Sequence, residues 1–136
     1  LLESYAELLE RTRELTPDIV ETTALASVLH SFYNGVENIF SRIAKEIDGN
    51  MPTGFQWHRD LLLQMAKETV ERKRVVSVDV AEKLADYLAF RHFYRHAYSF
   101  FLDWEEIKKL IIPLSEVWGQ AKDEIKLFLK DFHPKG

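Results

Sequence analysis

The chain has 136 residues, a hydrophobic fraction of 46% and a formal net charge of −4. This length fits one domain spanning residues 1–136, and the negative net charge argues against a protein that coats nucleic acid. The sequence contains no cysteine, which excludes disulfides, thiol nucleophiles and thiolate zinc sites. No apolar run approaches the ~20 residues of a membrane span. No signal-peptide pattern opens the chain, so we expect a cytoplasmic protein without membrane association.

The first two predicted elements are helices. A short helix is expected over residues 1–15. The Thr-Pro-Asp segment 16–18 then forms a start signal, with a capping hydroxyl, proline at the first helical position and an acid in the first turn. The second helix is expected to run to about Asp48, because apolar residues recur along it at spacings of three and four. Gly35 interrupts that stripe and is expected to allow close contact with another helix.

Two further helices follow a loop rich in glycine and proline. The third is expected over residues 57–71, with Leu61, Leu62 and Met65 facing the core. Ser77 is placed to cap the fourth helix, which is expected to continue to about Ser99.

The last predicted helix begins near Asp103. Asp103 and Glu106, three residues apart, fit a capping box, and Pro113 is expected to kink the helix. We find no convincing strand pattern in the sequence. The fold class predicted is therefore all-α: an antiparallel four-helix bundle with a short additional helix.

An arginine lies among tyrosines on the fourth predicted helix. At 100° per residue, Tyr87, Arg91, Tyr94 and Tyr98 share one face. A guanidinium binds phosphate bidentately and stacks on aromatic rings, and phenols stack on bases or donate to phosphate. Tyrosines at this spacing more often belong to a core or an interface, and that interpretation stays open here. On an ideal helix His96 lies about 140° from Arg91, so the two converge only if the helix distorts or a second protomer supplies one of them.

The order of residues from Arg91 to Tyr98 is a more specific indication of function than the positions of these residues around the helix. Arg91 is followed after four residues by His96, and His96 after one residue by Tyr98. This order resembles the motif of the HEPN superfamily, in which an arginine is followed four to six residues later by a histidine. The added tyrosine is the form found in HepT-type toxins. The long helix that bears Glu37 resembles the same proteins, and the likeness extends over about residues 22–129.

The resemblance implies an RNA endonuclease that needs no metal and no cofactor, in which the RNA 2′-hydroxyl attacks the adjacent phosphate. We assign proton transfer to His96, since imidazole titrates near neutral pH, and stabilisation of the charged transition state to Arg91. Many HepT proteins have asparagine at the position of His92, so its share in proton transfer stays open. The residues given supporting roles are His92, Glu37, Tyr94 and Arg95.

The resemblance also implies partners. Family members are homodimers that face two motifs across a cleft, so opposing copies would form one composite site bordered by the Tyr87–Tyr98 face. HepT-type toxins are paired with a nucleotidyltransferase antitoxin of the MntA type, which transfers AMP to the motif tyrosine, here Tyr98. An adenylyl group there would add negative charge beside Arg91 and repel RNA. The protein expected is thus a ribonuclease toxin of a type II toxin–antitoxin system.

Two other interpretations of the whole chain remain. The first is a non-catalytic HEPN module that binds a nucleotide or docks a nucleotidyltransferase partner. Such a module would keep the arginine and tyrosine of the motif for phosphate and base contacts without needing a general base. The second is a plain dimerising bundle, which leaves the arginine among the tyrosines unexplained.

Three other groups of residues carry weaker signals. His92 and His96 are four residues apart and could bind a metal ion together with His58 or Glu37. Two histidines without a third ligand at a defined spacing are weak support for such a site, and we expect none. His58 follows Trp57, and the two are interpreted as a packing pair at a helix start. The basic run 72–74 is interpreted as a solvated turn, with a phosphate-guiding patch as the alternative.

Overall fold

The computed structural model describes residues 6–8, 18–96 and 103–132, apart from the side chains of residues 19 and 94–96. Within these ranges the chain is helical and forms no strand, so the all-α prediction is confirmed. No helix in the described ranges is long and apolar enough to cross a membrane. The helices are α1 (Ile19–Ile43), α2 (Trp57–Met65), α3 (Val78–His96), α4 (Trp104–Ile111) and α5 (Leu114–Asp131).

Helix α1 begins after an aspartate cap. The Asp18 carboxylate accepts a hydrogen bond from the Glu21 backbone N–H at 2.8 Å, and the Glu21 carboxylate accepts one from the Asp18 N–H at 3.1 Å. This reciprocal pair is a capping box, so Asp18 is the cap and not a residue of the first turn as predicted. The Thr16 and Pro17 parts of that prediction lie outside the described residues.

Helix α1 is extended by a π-helical turn, Ala44–Asp48, so the predicted end near Asp48 is confirmed. Gly49 follows with φ 65°, a left-handed conformation that glycine adopts without a steric penalty. A Cβ built on Gly35 meets nothing within 4 Å. The predicted close helix contact at Gly35 is therefore wrong.

Helix α3 packs between α1 and α5. The Ser77 Oγ accepts a hydrogen bond from Val80 N–H at 3.1 Å, which confirms Ser77 as its cap. The Glu124 carboxylate of α5 accepts hydrogen bonds from the Ser77 N–H and Oγ, and further along Lys83 of α3 donates to Gln120. Along this interface the residue numbers rise in α3 and fall in α5, so the two helices are antiparallel.

Helix α2 differs from the antiparallel pattern and is shorter than predicted. At the start of α2, His58 contacts Glu37, and near its end Gln64 contacts Asp48, which lies further along the chain than Glu37. Helix α2 therefore runs parallel to α1. It ends at Met65 rather than residue 71, because the Met65 carbonyl accepts hydrogen bonds from the N–H groups of residues 75 and 76 as the chain turns back.

The basic run 72–74 is not simply a solvated turn. The Arg72 side chain has no exposed surface and pairs bidentately with Asp48, at 2.6 and 2.8 Å. It also donates to the backbone carbonyls of Gln64, Lys67 and Lys73. Burial favours a higher pKa for Asp48, but hydrogen bonds from Arg72 and Gln64 and the Arg72 charge hold that pKa below its usual value. For Arg72, both the solvated turn and the phosphate-guiding patch are wrong interpretations. Its contacts instead hold the π-helical turn after α1 against the connection between α2 and α3.

Proline breaks the last predicted helix in two. Pro113 stands between α4 and α5, so the predicted kink is a complete interruption. The Asp103 carboxylate accepts a hydrogen bond from the Glu105 N–H at 3.0 Å, which confirms it as a cap. Glu106 contacts Lys109 rather than completing a capping box. The buried stripe of both helices is Ile107, Ile111, Leu114, Val117, Ala121, Ile125 and Phe128.

Candidate functional site

Arg91 lies buried where α3 meets α1, with only 2% of its surface exposed. Its Nη1 donates to Glu37 Oε1 at 2.9 Å, and its Nη2 donates to Glu37 Oε2 at 3.0 Å. Two parallel charge-assisted bonds of this kind hold a guanidinium in a fixed plane. Glu37 is 7% exposed, so the structure brings together the two predicted residues as a buried ion pair.

Further contacts complete the surroundings of the Arg91 guanidinium. Nη1 also donates to Asn34 Oδ1 at 2.9 Å, and Nη2 lies 2.8 Å from His58 Nδ1. The Tyr33 ring lies below the guanidinium, with its centroid 5.0 Å from Cζ, in cation–π contact. Nη1 of Arg91 thus has two hydrogen-bonding partners within its own chain. Nη2 has Glu37, and it has His58 Nδ1 as a second partner when that nitrogen is unprotonated.

The buried tyrosines Tyr33 and Tyr87 have structural roles. Burial raises the pKa of Tyr33 well above its usual value, and Glu37 raises it further while Arg91 opposes the shift, so the phenol stays neutral. Tyr87 is 2% exposed and donates its hydroxyl hydrogen to the Leu110 carbonyl at 2.7 Å. The expectation that Tyr87 borders a cleft is therefore wrong, and the core interpretation is correct for it.

His58 belongs to this site, although the sequence indicated a packing role, with a metal ligand as the alternative. Its ring does stack on Trp57, with centroids 3.6 Å apart and planes inclined by 32°. Its Nδ1 also lies 2.8 Å from Glu37 Oε2. In the part of the chain that the structure describes, no group of three or more histidine and acidic side chains is arranged to hold a metal ion.

A groove between α2 and α3 opens beside the ion pair. Its volume is about 1080 Å³, and His58, Arg91 and His92 contribute polar groups to its lining. Most of the remaining wall is apolar. Among the described residues that line it, Glu82 is the single acid, whereas Arg59 and Lys67 add positive charge. The apolar lining residues are Phe55, Leu62, Leu63, Ala66, Val78, Ala81, Ala85, Leu88 and Ala89.

The other predicted site residues lie near or beyond the end of α3. His92 is exposed on α3 and lines the groove next to Arg91. Tyr94, Arg95 and His96 fall on the last turn of α3, and their side chains lie outside the described part of the structure. Tyr98 lies outside the described residues altogether.

The all-α fold and the motif arginine bound to a glutamate of the preceding long helix define a helical module of the HEPN type. A family model described as "HepT-like protein" matches residues 24–132, which is most of the chain. The chain therefore belongs to the HepT-like family, as the resemblance of its Arg91–Tyr98 motif indicated. Searches of curated proteins and of solved structures give no match.

Proposed function

We propose that this protein is a metal-independent RNA endonuclease, the toxin of a type II toxin–antitoxin system, working as a homodimer of one-domain subunits. Membership of the HepT-like family supports this proposal. The observation that carries it is the motif arginine, Arg91, fixed by Glu37 at a groove that also presents His58 and His92. A cationic, partly apolar groove suits the phosphates and bases of RNA.

The reaction needs two proton transfers. The 2′-hydroxyl loses its proton as its oxygen bonds to phosphorus, and the bond from phosphorus to the 5′-oxygen breaks as that oxygen gains a proton. The products are a 2′,3′-cyclic phosphate and a 5′-hydroxyl end. His96 takes part in proton transfer, and Arg91 stabilises the charged phosphorus centre. Glu37 holds the Arg91 guanidinium in place where Arg91 lines the groove, so its charge is available to an RNA phosphate bound there.

Replacing His96 tests the proposed proton transfer and leaves Arg91 and Glu37 themselves unchanged. We expect wild-type protein to cleave RNA in the presence of a metal chelator and His96→Ala to cleave it about 10²–10⁴-fold more slowly, the usual loss for a general acid or base. Lys126→Ala, on the exposed face of α5, is the control and keeps the wild-type rate. Gel analysis of labelled RNA measures both the rates and the cyclic phosphate ends. Equal rates for wild type and His96→Ala would rule out this role.

We also propose that an MntA-type nucleotidyltransferase partner silences the toxin by adenylylating Tyr98. After co-expression with the nucleotidyltransferase encoded beside it, the intact mass is expected to rise by whole AMP units, with loss of RNA cleavage because a negative group would then stand beside Arg91. Tyr98→Phe removes the mass shift, whereas the matched variant Tyr94→Phe keeps it. An unchanged shift in Tyr98→Phe would place the modification elsewhere.

One observation favours the non-catalytic alternative, a HEPN module that binds nucleotide or docks a nucleotidyltransferase. Arg91 is almost fully buried and has partners within its own chain, as expected for an arginine with a purely structural role. This alternative predicts that folded wild-type protein leaves RNA intact under every ionic condition. It predicts in addition that His96→Ala does not relieve growth inhibition in cells.

A further inference from the structure

Three atoms meet closely in the buried part of the site. His58 Nδ1 lies 2.8 Å from Glu37 Oε2 and 2.8 Å from Arg91 Nη2, and the latter two atoms are 3.0 Å apart. An ionised carboxylate only accepts hydrogen bonds and a guanidinium only donates them, while an imidazole nitrogen does one or the other. A protonated Nδ1 therefore donates to Glu37, and an unprotonated Nδ1 accepts from Arg91. Either tautomer of His58 has a suitable partner.

This arrangement determines which edge of the His58 ring is available for chemistry. The Nδ1 edge faces the buried ion pair, whereas the side chain is 26% exposed and lines the groove. Because Nδ1 contacts the ion pair, Nε2 is the ring nitrogen left to interact with a molecule in the groove. Stacking on Trp57 restrains the plane of the ring. A carboxylate that binds one imidazole nitrogen and leaves the other facing the substrate is the arrangement that orients a histidine general base.

We infer that His58 is a second proton-transfer residue of this site, which takes the proton from the RNA 2′-hydroxyl while Glu37 positions its ring. This inference rests on the proposed RNA cleavage. With Nδ1–H donating to Glu37, the Nε2 lone pair accepts the hydroxyl proton, and the imidazolium that forms lies against the Glu37 carboxylate. His96 then supplies the proton for the 5′-oxygen, so each of the two transfers has its own histidine.

The groove supports this assignment by its charge. Arg59 and Lys67 line it together with His58, and Glu82 is the single acid among its described lining residues. A strand of RNA lying in the groove would place its phosphates near these cations. The ring of His58 would then meet the ribose–phosphate backbone directly.

Chemical rescue separates proton transfer from a merely structural role of His58. We expect His58→Ala to cleave RNA about 10²-fold more slowly than wild type, and added imidazole to restore much of the rate because it can enter the vacated space. His58→Gln fills that space and is expected to be slow without responding to imidazole. Thermal unfolding of each variant shows that the fold is retained, and Lys126→Ala controls for effects of imidazole on wild-type-like cleavage.

The outcomes distinguish this inference from the proposed function. Wild-type cleavage with an equally active, folded His58→Ala overturns the role of His58 alone. A slow His58→Ala that imidazole does not accelerate also overturns it, because the residue is then structural. If wild-type protein itself leaves RNA intact, the proposed function fails and the inference fails with it.

Discussion

Replacing Arg91 alone is expected to lower the free energy of unfolding by about 3–5 kcal/mol, because Glu37 would remain buried without its counter-charge. Arg91→Met and Glu37→Leu should each show this loss, since each leaves one member of the pair uncompensated at an almost fully buried position. The double variant Arg91→Met/Glu37→Leu is expected to recover most of the stability, because apolar residues often replace a buried ion pair at little net cost. Urea unfolding measures all three.

The double variant also separates folding from function. If Arg91 stabilises the transition state, the refolded double variant cleaves RNA at least about 10²-fold more slowly than wild type, a typical loss when one charge-stabilising donor is removed. A folded double variant with the wild-type cleavage rate would show that the ion pair serves only the fold.

Another buried ion pair in the described part of the chain provides a matched control. The side chains of Arg72 and Asp48 are also paired bidentately and almost fully buried, at the end of the π-helical turn that follows α1. Arg72→Met is expected to destabilise the protein, since it removes backbone contacts as well as the ion pair. Under conditions where Arg72→Met remains folded, its rate of RNA cleavage should match that of wild type. If variants of both ion pairs lost RNA cleavage, the cleavage assay would be measuring the stability of the fold rather than the role of Arg91.

Helical periodicity predicted most of the fold. Leu61, Leu62 and Met65 face the core as expected, and Ser77 and Asp103 cap the helices that they were predicted to begin. The exceptions are features that depend on distant contacts. Arg72 resembles a solvated turn residue in sequence, because its partner Asp48 is 24 residues away. Likewise, nothing local in the sequence indicates that α2 runs in the same sense as α1.

The site was predictable to the extent that it follows a motif. Arg91 and Glu37 were both singled out, and the structure joins them across a sequence separation of 54 residues. The role of His58 does not follow from its sequence neighbours, because packing on Trp57 already explains a histidine at a helix start and its contact with Arg91 spans 33 residues. The available signal was chemical rather than local, because Glu37 is a charged residue on the mainly apolar buried face of its helix and needs polar partners there.

Mixing two inactive variants should restore cleavage if the site is shared between subunits. Arg91 is turned towards α1 by its bonds to Glu37 and Asn34, and on an ideal helix His96 lies about 140° away from it. In a homodimer, Arg91 of one subunit and His96 of the other could face each other across the interface. The angle between them on a single helix would then be no obstacle to a shared site. We therefore expect inactive Arg91→Met/Glu37→Leu protein, mixed with inactive His96→Ala protein, to regain activity after subunit exchange.

The expected amount follows from counting sites. Random exchange of equal amounts makes about half of the dimers mixed, and each mixed dimer has one intact composite site of two, so activity should reach about a quarter of the wild-type value. Native mass spectrometry with differently tagged subunits verifies the exchange. A mixture that pairs His96→Ala with a variant carrying all three substitutions should stay inactive. If verified mixed dimers of the two original variants are also inactive, Arg91 and His96 act within one subunit, and the end of α3 must depart from ideal helical geometry to bring them together.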